Sequence, residues 1–197
     1  TGFLVVLFAT IFFLKDGRLI WLWVLRVAVP RDYEGIADEA GLRAWATLGG
    51  YVRATVLVAA IDAIFIGFGV WIVGVPLAIP IGVVVFLFSF VPLFGATLSG
   101  LIAVLIALVF NGPVQAIVVL AIVLGVQQLE GHVLQPVLMS RAVKVHPLAV
   151  VVGITTGVAL AGIIGALFAV PIIAMANTVG SFLAHHLPED EALAQVA

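Results

Sequence analysis

Two acidic side chains, Asp62 and Glu130, border a long apolar stretch of this sequence. Residues 63–129 contain no Asp, Glu, Lys or Arg, and residues 145–188 contain none either. A charged side chain at the centre of a bilayer costs about 3 kcal/mol on insertion scales, so such residues usually pair or line a pathway. Asp62 and Glu130 are therefore candidate sites for a proton or a cation. A structural ion pair or an interhelical hydrogen bond is the alternative for Asp62.

Amide side chains accompany the second of these acids. Gln127 and Gln128 precede Glu130 at the end of an apolar segment. Gln127 and Glu130 are three residues apart and share a face of a helix. The alternative is that Glu130 ends its helix and pairs with Arg141 or Lys144.

Helix-breaking residues within apolar sequence form a second group of candidates. Lipid-exposed irregular backbone would leave polar groups unpaired, so such breaks must face protein or a hydrated cavity. A plain structural kink is the alternative. The pathway candidates are Pro92, Gly95, Thr97, Ser99, Gly162, Gly165 and Pro171.

Polar residues between the apolar segments complete the candidates. Histidine titrates near neutral pH, although such residues also simply hydrogen-bond at a membrane surface. The candidates in this loop are His132, Gln135, Arg141 and His146.

The composition indicates the elements that must position these residues. The chain is 64% hydrophobic and 9% charged, with a mean hydropathy of +1.36, well outside the usual composition of soluble domains. A helix needs roughly 20 apolar residues to cross a bilayer. The sequence therefore predicts an all-α polytopic membrane protein, in contact with a lipid bilayer.

The distribution of charge divides the chain into four parts. Residues 1–14 are expected to end a transmembrane helix and to close at a charged turn, Lys15-Asp16-Gly17. Residues 15–50 are expected to form an amphipathic, interfacial cytoplasmic linker, residues 51–184 a membrane transport domain, and residues 185–197 a short polar tail. The missing start of the first helix suggests the C-terminal part of a longer protein.

The transport domain contains two similar long apolar pieces, 75–112 and 147–184. Pro76-Leu77-Ala78 resembles Pro147-Leu148-Ala149, and Gly95-Ala96 resembles Gly165-Ala166. Each piece follows one predicted crossing, 51–74 or 113–129. The pattern predicts two interrupted helical hairpins in inverted repeats, an arrangement typical of transporters. Chance matching in Gly-rich, Ala-rich and Val-rich sequence is the alternative.

Basic residues in short loops predict the orientation. Six of them between Lys15 and Arg53, together with Arg141 and Lys144, place residues 15–50 and 131–146 in the cytoplasm. The net charge of −2 gives no indication of nucleic acid, and no such partner is expected. No cofactor, metal or enzyme motif is present; in particular, the sequence has no HExxH, no GxSxG and no cysteine.

Several motifs, taken in order, resemble the autoinducer-2 exporter family of bacterial membrane transporters. The resemblance covers nearly all 197 residues. It implies a multi-pass protein of the bacterial cytoplasmic (inner) membrane and a homo-oligomer, with a pentamer as one option. It also implies export of a small polar solute or signalling molecule by alternating access, or Na⁺(Li⁺)/H⁺ antiport, whereas a non-transporting oligomeric scaffold stays open as a third function. The motifs are Phe13-Leu14-Lys15-Asp16-Gly17, Tyr51-Val52-Arg53, Phe90-Val91-Pro92-Leu93-Phe94-Gly95, Gln127-Gln128-Leu129-Glu130-Gly131, Leu134-Gln135-Pro136, His146-Pro147-Leu148 and the stretch from Gly165 to Pro171.

Overall fold

The computed structural model describes residues 2–90, 94–134 and 147–186, and these residues form helices and turns without any strand. The predicted all-α fold is confirmed. The helices are α1 (Gly2–Ala28), α2 (Glu34–Ile72), α3 (Ala78–Phe88), α4 (Phe94–Asn111), α5 (Pro113–Leu129) and α6 (Pro147–His186). A 3₁₀ turn, Arg31–Tyr33, precedes α2, and a π-helical turn, Glu130–Leu134, follows α5.

Within the described residues, three helical stretches are long and apolar enough to cross a membrane. They are Arg31–Ile72, Pro113–His132 and Leu148–His185. Helix α3 has 11 residues and rises only about 16 Å, short of the roughly 30 Å hydrocarbon core. Long apolar helices and a short apolar helix therefore occur in the same chain.

The described residues belong to two compact units, one comprising residues 2–45 with 178–186 and the other lying within 46–177. In the first unit, Asp38 on α2 accepts hydrogen bonds from both terminal nitrogens of Arg18, at 2.5 and 2.7 Å, and from Trp21 Nε1 at 2.8 Å. These donors hold the pKa of the Asp38 carboxyl below its usual range. The Trp21 ring also covers Gly41 so closely that a Cβ there would overlap it. These contacts join α1 to the start of α2.

Both long N-terminal helices continue through predicted boundaries. Helix α1 runs without a break through Lys15, Asp16 and Gly17, where we expected a charged turn, and α2 runs through Gly50. A helix already has its backbone hydrogen bonds satisfied within itself, so a change of side-chain polarity along it does not require a turn. The change from polar to apolar sequence thus occurs inside α2.

The successive helices from α2 to α5 are antiparallel. Gly67 on α2 lies against Gly82 on α3, and Gly100 on α4 lies so close to α5 that an added Cβ would be 2.6 Å from Val123 Cγ1. The turns that join these pairs contain Gly74, with φ +77°, and Gly112, with φ +97°. Both turns lie at one end of the bundle, because Asn111 Nδ2 donates to the Gly74 carbonyl oxygen over 3.1 Å.

Helices α3 and α4 form the first hairpin. Helix α3 ends at Phe88 and α4 begins at Phe94. Gly95 in the first turn of α4 contacts the Phe88 backbone so closely that a Cβ would overlap the Phe88 carbonyl oxygen. The close approach of the two arms at this turn therefore requires a glycine at position 95.

Helix α6 forms the second hairpin. Its backbone is non-helical at Ala161 and at Gly162, where φ is +60°. Beyond this break the chain turns back, because a Cβ at Gly165 would overlap the Gly157 carbonyl oxygen and one at Gly153 would overlap the Ile173 side chain. The first arm, 147–160, is about 21 Å long, again less than the bilayer core. The paired positions of the sequence repeat, Gly95 and Gly165, thus occupy equivalent places in two hairpins.

Candidate functional site

One end of the four-helix core of the second unit is polar. The core contains Ile66, Val85, Ala103, Val123 and Val126, all buried. Residues four apart share a helix face, and a polar residue lies one turn beyond each of these core residues. The five polar residues, named here the polar cap, are Asp62, Ser89, Ser99, Gln127 and Glu130.

The antiparallel order of the helices brings the polar cap together. Its residues lie in the C-terminal half of α2, at the end of α3, near the start of α4 and at the end of α5. Asp62 is 12 residues from Gly74, Ser89 is 12 from Leu77 and Ser99 is 13 from Gly112, which places each of them about 18–20 Å along its helix. They therefore lie at a common depth.

Asp62 is the most deeply buried acid of the polar cap. Its residue is 3% exposed, and its Oδ1 atom has no hydrogen-bond partner. The carboxyl group lies beside the Ser89 hydroxyl and close enough to Glu130 for an electrostatic interaction. The Ser89 hydroxyl itself donates to the Val85 carbonyl oxygen over 2.8 Å. One carboxylate oxygen of Asp62 is thus available to a ligand.

Glu130 approaches from the end of α5. It is half-buried, and its backbone N–H donates to the carbonyl oxygens of Val126 and Gln127. The Gln127 amide reaches α4, since a Cβ on Gly100 would lie 3.6 Å from Gln127 Nε2. Ser99, the neighbour of Gly100, has no exposed surface. The two acids chosen from the sequence therefore lie in one polar region.

The opposite side of Asp62 is apolar. Val70, Ala107 and Val119 have no exposed surface, and Ile66 has 2%. These side chains occupy the core between the polar cap and the turns at Gly74 and Gly112. A polar solute at Asp62 therefore meets a closed apolar layer in that direction.

The predicted site residues outside the polar cap are exposed, lie in the two hairpins or fall outside the described residues. Gln128, Thr97 and His132 are exposed, with His132 Nδ1 3.0 Å from the Gln128 carbonyl oxygen. Gly95, Gly162 and Gly165 lie in the hairpins as described, whereas Pro171 is buried within the second arm of α6. The candidates that fall outside the described residues are Pro92, Gln135, Arg141 and His146, together with Lys144.

The sequence also contained a signal that our selection of sites missed. Tyr51 and Thr55 are 6% and 8% exposed, and they precede Asp62 by eleven and seven residues. These spacings place all three on one face of α2. Helical periodicity among the polar residues of α2 would have identified them.

The chemistry of the polar cap suits a proton or a small hard cation. It offers two carboxylates, two hydroxyls and an amide, and hard cations prefer oxygen ligands. Two like charges held close together in a medium of low dielectric repel each other strongly. A bound cation or proton relieves that repulsion. Within the described residues, no group of three or more His, Cys, Asp or Glu is arranged to hold a metal ion.

Comparison with known proteins agrees with this membrane architecture. The profile described as "AI-2E family transporter" matches residues 1–184. "Putative transport protein MT0215" of Mycobacterium tuberculosis is 46% identical over 90% of this chain and 48% of its own length. "Putative transport protein YrrI" of Bacillus subtilis is 32% identical over 66% of this chain and 36% of its own. The chain thus spans about half the length, or less, of these curated relatives.

Proposed function

Because this chain belongs to the AI-2E transporter family, we propose that it is a secondary transporter whose solute movement is coupled to a proton or cation at the polar cap. The transported solute is a small polar molecule, exported by alternating access. Relatives from two bacteria are named as putative transport proteins, which supports a transport role. We place the protein in the bacterial cytoplasmic membrane. The working protein is a homo-oligomer in this proposal.

The observation that carries this proposal is the burial of Asp62 beside Glu130. Asp62 lies in the apolar C-terminal half of α2, with one carboxylate oxygen unpartnered. A scaffold does not need this costly arrangement, because apolar side chains of similar size pack a core at least as well. A coupled transporter needs it, because the coupling ion must bind inside the membrane.

The two hairpins supply the elements that alternating access requires. Each contains an arm too short to cross the bilayer, and each turns on glycines packed against backbone. Breaks of this kind occur at membrane depth where they face protein or a hydrated cavity. Movement of one hairpin against the long helices would change the side from which the polar cap is reached.

Na⁺(Li⁺)/H⁺ antiport is the second candidate. The specific observation in its favour is that the polar cap holds two acids from different helices, close enough to interact. Such a pair can exchange one cation for a proton, because either ligand offsets the repulsion between the carboxylates. In this case the cations are the substrates, and no further solute is moved.

The proposal is tested with the full-length protein in liposomes. Na⁺ or Li⁺ gradients are applied, and proton movement is followed with an internal pH dye alongside the efflux of candidate polar solutes. Asp62→Asn should abolish cation-dependent flux, since it keeps the shape of the side chain and removes its charge. The control is Asp32→Asn, at an exposed position of the 3₁₀ turn. Flux in Asp62→Asn equal to that in wild type would refute the coupling role and favour a scaffold or an uncoupled pathway.

A further inference from the structure

A row of buried polar groups continues from Asp62 toward the N-terminal end of α2. Thr55 and Tyr51 lie on the same face as Asp62 and are nearly as buried, at 8% and 6% exposure. Thr55 is about 10 Å along the helix axis from Asp62, and Tyr51 about 6 Å further. The row thus extends from Asp62, in the C-terminal half of α2, to the beginning of the polar N-terminal half.

Thr55 is not satisfied in the usual way for a helical threonine. Thr10 and Thr155, both exposed, donate to carbonyl oxygens of their own helices at 2.8–3.1 Å. The buried Thr55 oxygen has no hydrogen bond of good geometry, although the Tyr51 hydroxyl lies beside it. A buried hydroxyl without a good hydrogen bond costs roughly 1–3 kcal/mol, so a water molecule or an ion that binds to it would stabilise the protein.

Tyr51 is held in place by the second hairpin. It forms a buried cluster with Ile154 on the first arm and with Ala166, Ala169 and Val170 on the second. Its hydroxyl lies near that of Thr55, although the Thr55 oxygen has no hydrogen bond of good geometry. Two hydroxyls so placed are suited to a bridging water.

Between Thr55 and Asp62 the face contains small and apolar side chains. Val58 and Ala59 are the buried residues there. Val58 is 7% exposed and Ala59 has no exposed surface, so the roughly three waters that would bridge this gap of about 10 Å can enter only in a conformation in which the neighbouring helices separate. Beyond Asp62 the same face continues with Ile66 and Val70, which are closed and apolar. The polar groups therefore lead away from Asp62 in one direction only.

We infer that Tyr51 and Thr55 form a hydrated access pathway along α2, through which the proton or cation reaches Asp62 from the N-terminal end of that helix. This inference rests on the proposed function. Thr55 acts as a positioning residue, since it orders the water or ion on its way to Asp62. Movement of the second hairpin, which holds Tyr51, would open or close the pathway.

The first test measures flux in liposomes. Thr55→Val keeps the shape of the side chain and removes the hydroxyl, and the initial rate of cation-dependent proton movement should fall about tenfold. Thr55→Ser should restore it, and Thr155→Val, at an exposed helical threonine, should leave it unchanged. If Thr55→Val transports at the wild-type rate while Asp62→Asn is inactive, the pathway is wrong and the proposed function stands. If Asp62→Asn remains active, the proposed function itself is wrong.

The second test measures hydration without relying on transport. The printed sequence has no cysteine, so Thr55→Cys and Leu57→Cys introduce single thiols into this part of the chain at nearly the same depth. Leu57 lies on the other side of the helix and is 48% exposed. A charged, membrane-impermeant thiol reagent should modify Thr55→Cys at least about tenfold faster, because only a hydrated thiol readily forms the reactive thiolate. The reaction should occur from the side that labels Lys15→Cys. Equal rates for the two thiols would overturn the pathway.

Discussion

Adding one methyl group at Gly165 should open the second hairpin. A Cβ there would overlap the Gly157 carbonyl oxygen and lie 2.5 Å from the carbonyl carbon and 3.1 Å from Gly157 Cα. Carbon atoms pack best at about 3.5–4.0 Å, so the arms must separate by about 1 Å. The atoms that would have to move are backbone atoms and cannot change rotamer.

The expected cost of Gly165→Ala is that of an overpacked core, about 1–3 kcal/mol. For a domain of this size, that cost lowers the midpoint of thermal unfolding by about 2–12 °C. Thermal unfolding of the purified protein in detergent measures the change. Gly125→Ala is the matched control, because a Cβ at Gly125 meets nothing within 4 Å; it should be neutral or stabilising by up to about 1 kcal/mol. A Gly165→Ala protein as stable as Gly125→Ala would refute the close hairpin.

Further predictions concern the first hairpin, the N-terminal unit and the topology. Gly95→Ala should lower the unfolding midpoint by a similar amount, because its Cβ would overlap the Phe88 carbonyl oxygen; an unchanged midpoint would contradict the closure of that hairpin. Asp38→Asn should increase hydrogen exchange in α1, since it weakens the bonds from Arg18 and Trp21. The pKa of Asp38 is lowered on folding. The stabilisation by these bonds is therefore complete above the usual aspartate pKa of about 3.9 and is lost as the pH falls through the lower pKa of the folded protein. Hydrogen exchange in α1 that changes neither with acid nor with the mutation would contradict this role of Asp38. Single cysteines at Lys15, Gly112 and Lys144 should be labelled from the cytoplasm, the outside and the cytoplasm respectively, and an outside Lys144 would contradict the hairpin topology.

The hairpins could be predicted from the sequence because their physical causes are local. Residues 63–129 are free of charge and are interrupted by Pro76, Pro80 and Pro92, a pattern that excludes one straight helix of ordinary length. The repeat also placed Gly95 and Gly165 in equivalent positions. Each glycine contacts the preceding arm of its hairpin. The sequence alone does not show this contact, because it depends on how the two arms pack.

The polar cap could be predicted only in part. Burial cost alone identified Asp62 and Glu130 as unusual. Their proximity depends on the antiparallel order of four helices and on the lengths between their turns, so it becomes visible only in three dimensions. Conversely, the turn expected at Lys15-Asp16-Gly17 is absent because α1 carries these polar residues without a break.

Proton release on cation binding tests the central claim most directly. The full-length protein in detergent, at near-neutral pH and weakly buffered, is mixed with Na⁺ or Li⁺ while a pH indicator is followed. If Asp62 and Glu130 form one site that exchanges a proton for a cation, the wild-type protein should release protons, whereas Asp62→Asn and Glu130→Gln should release none and Asp32→Asn should behave as wild type. Release that persists unchanged in both Asp62→Asn and Glu130→Gln, or that is absent from the wild-type protein with either cation, would contradict the account.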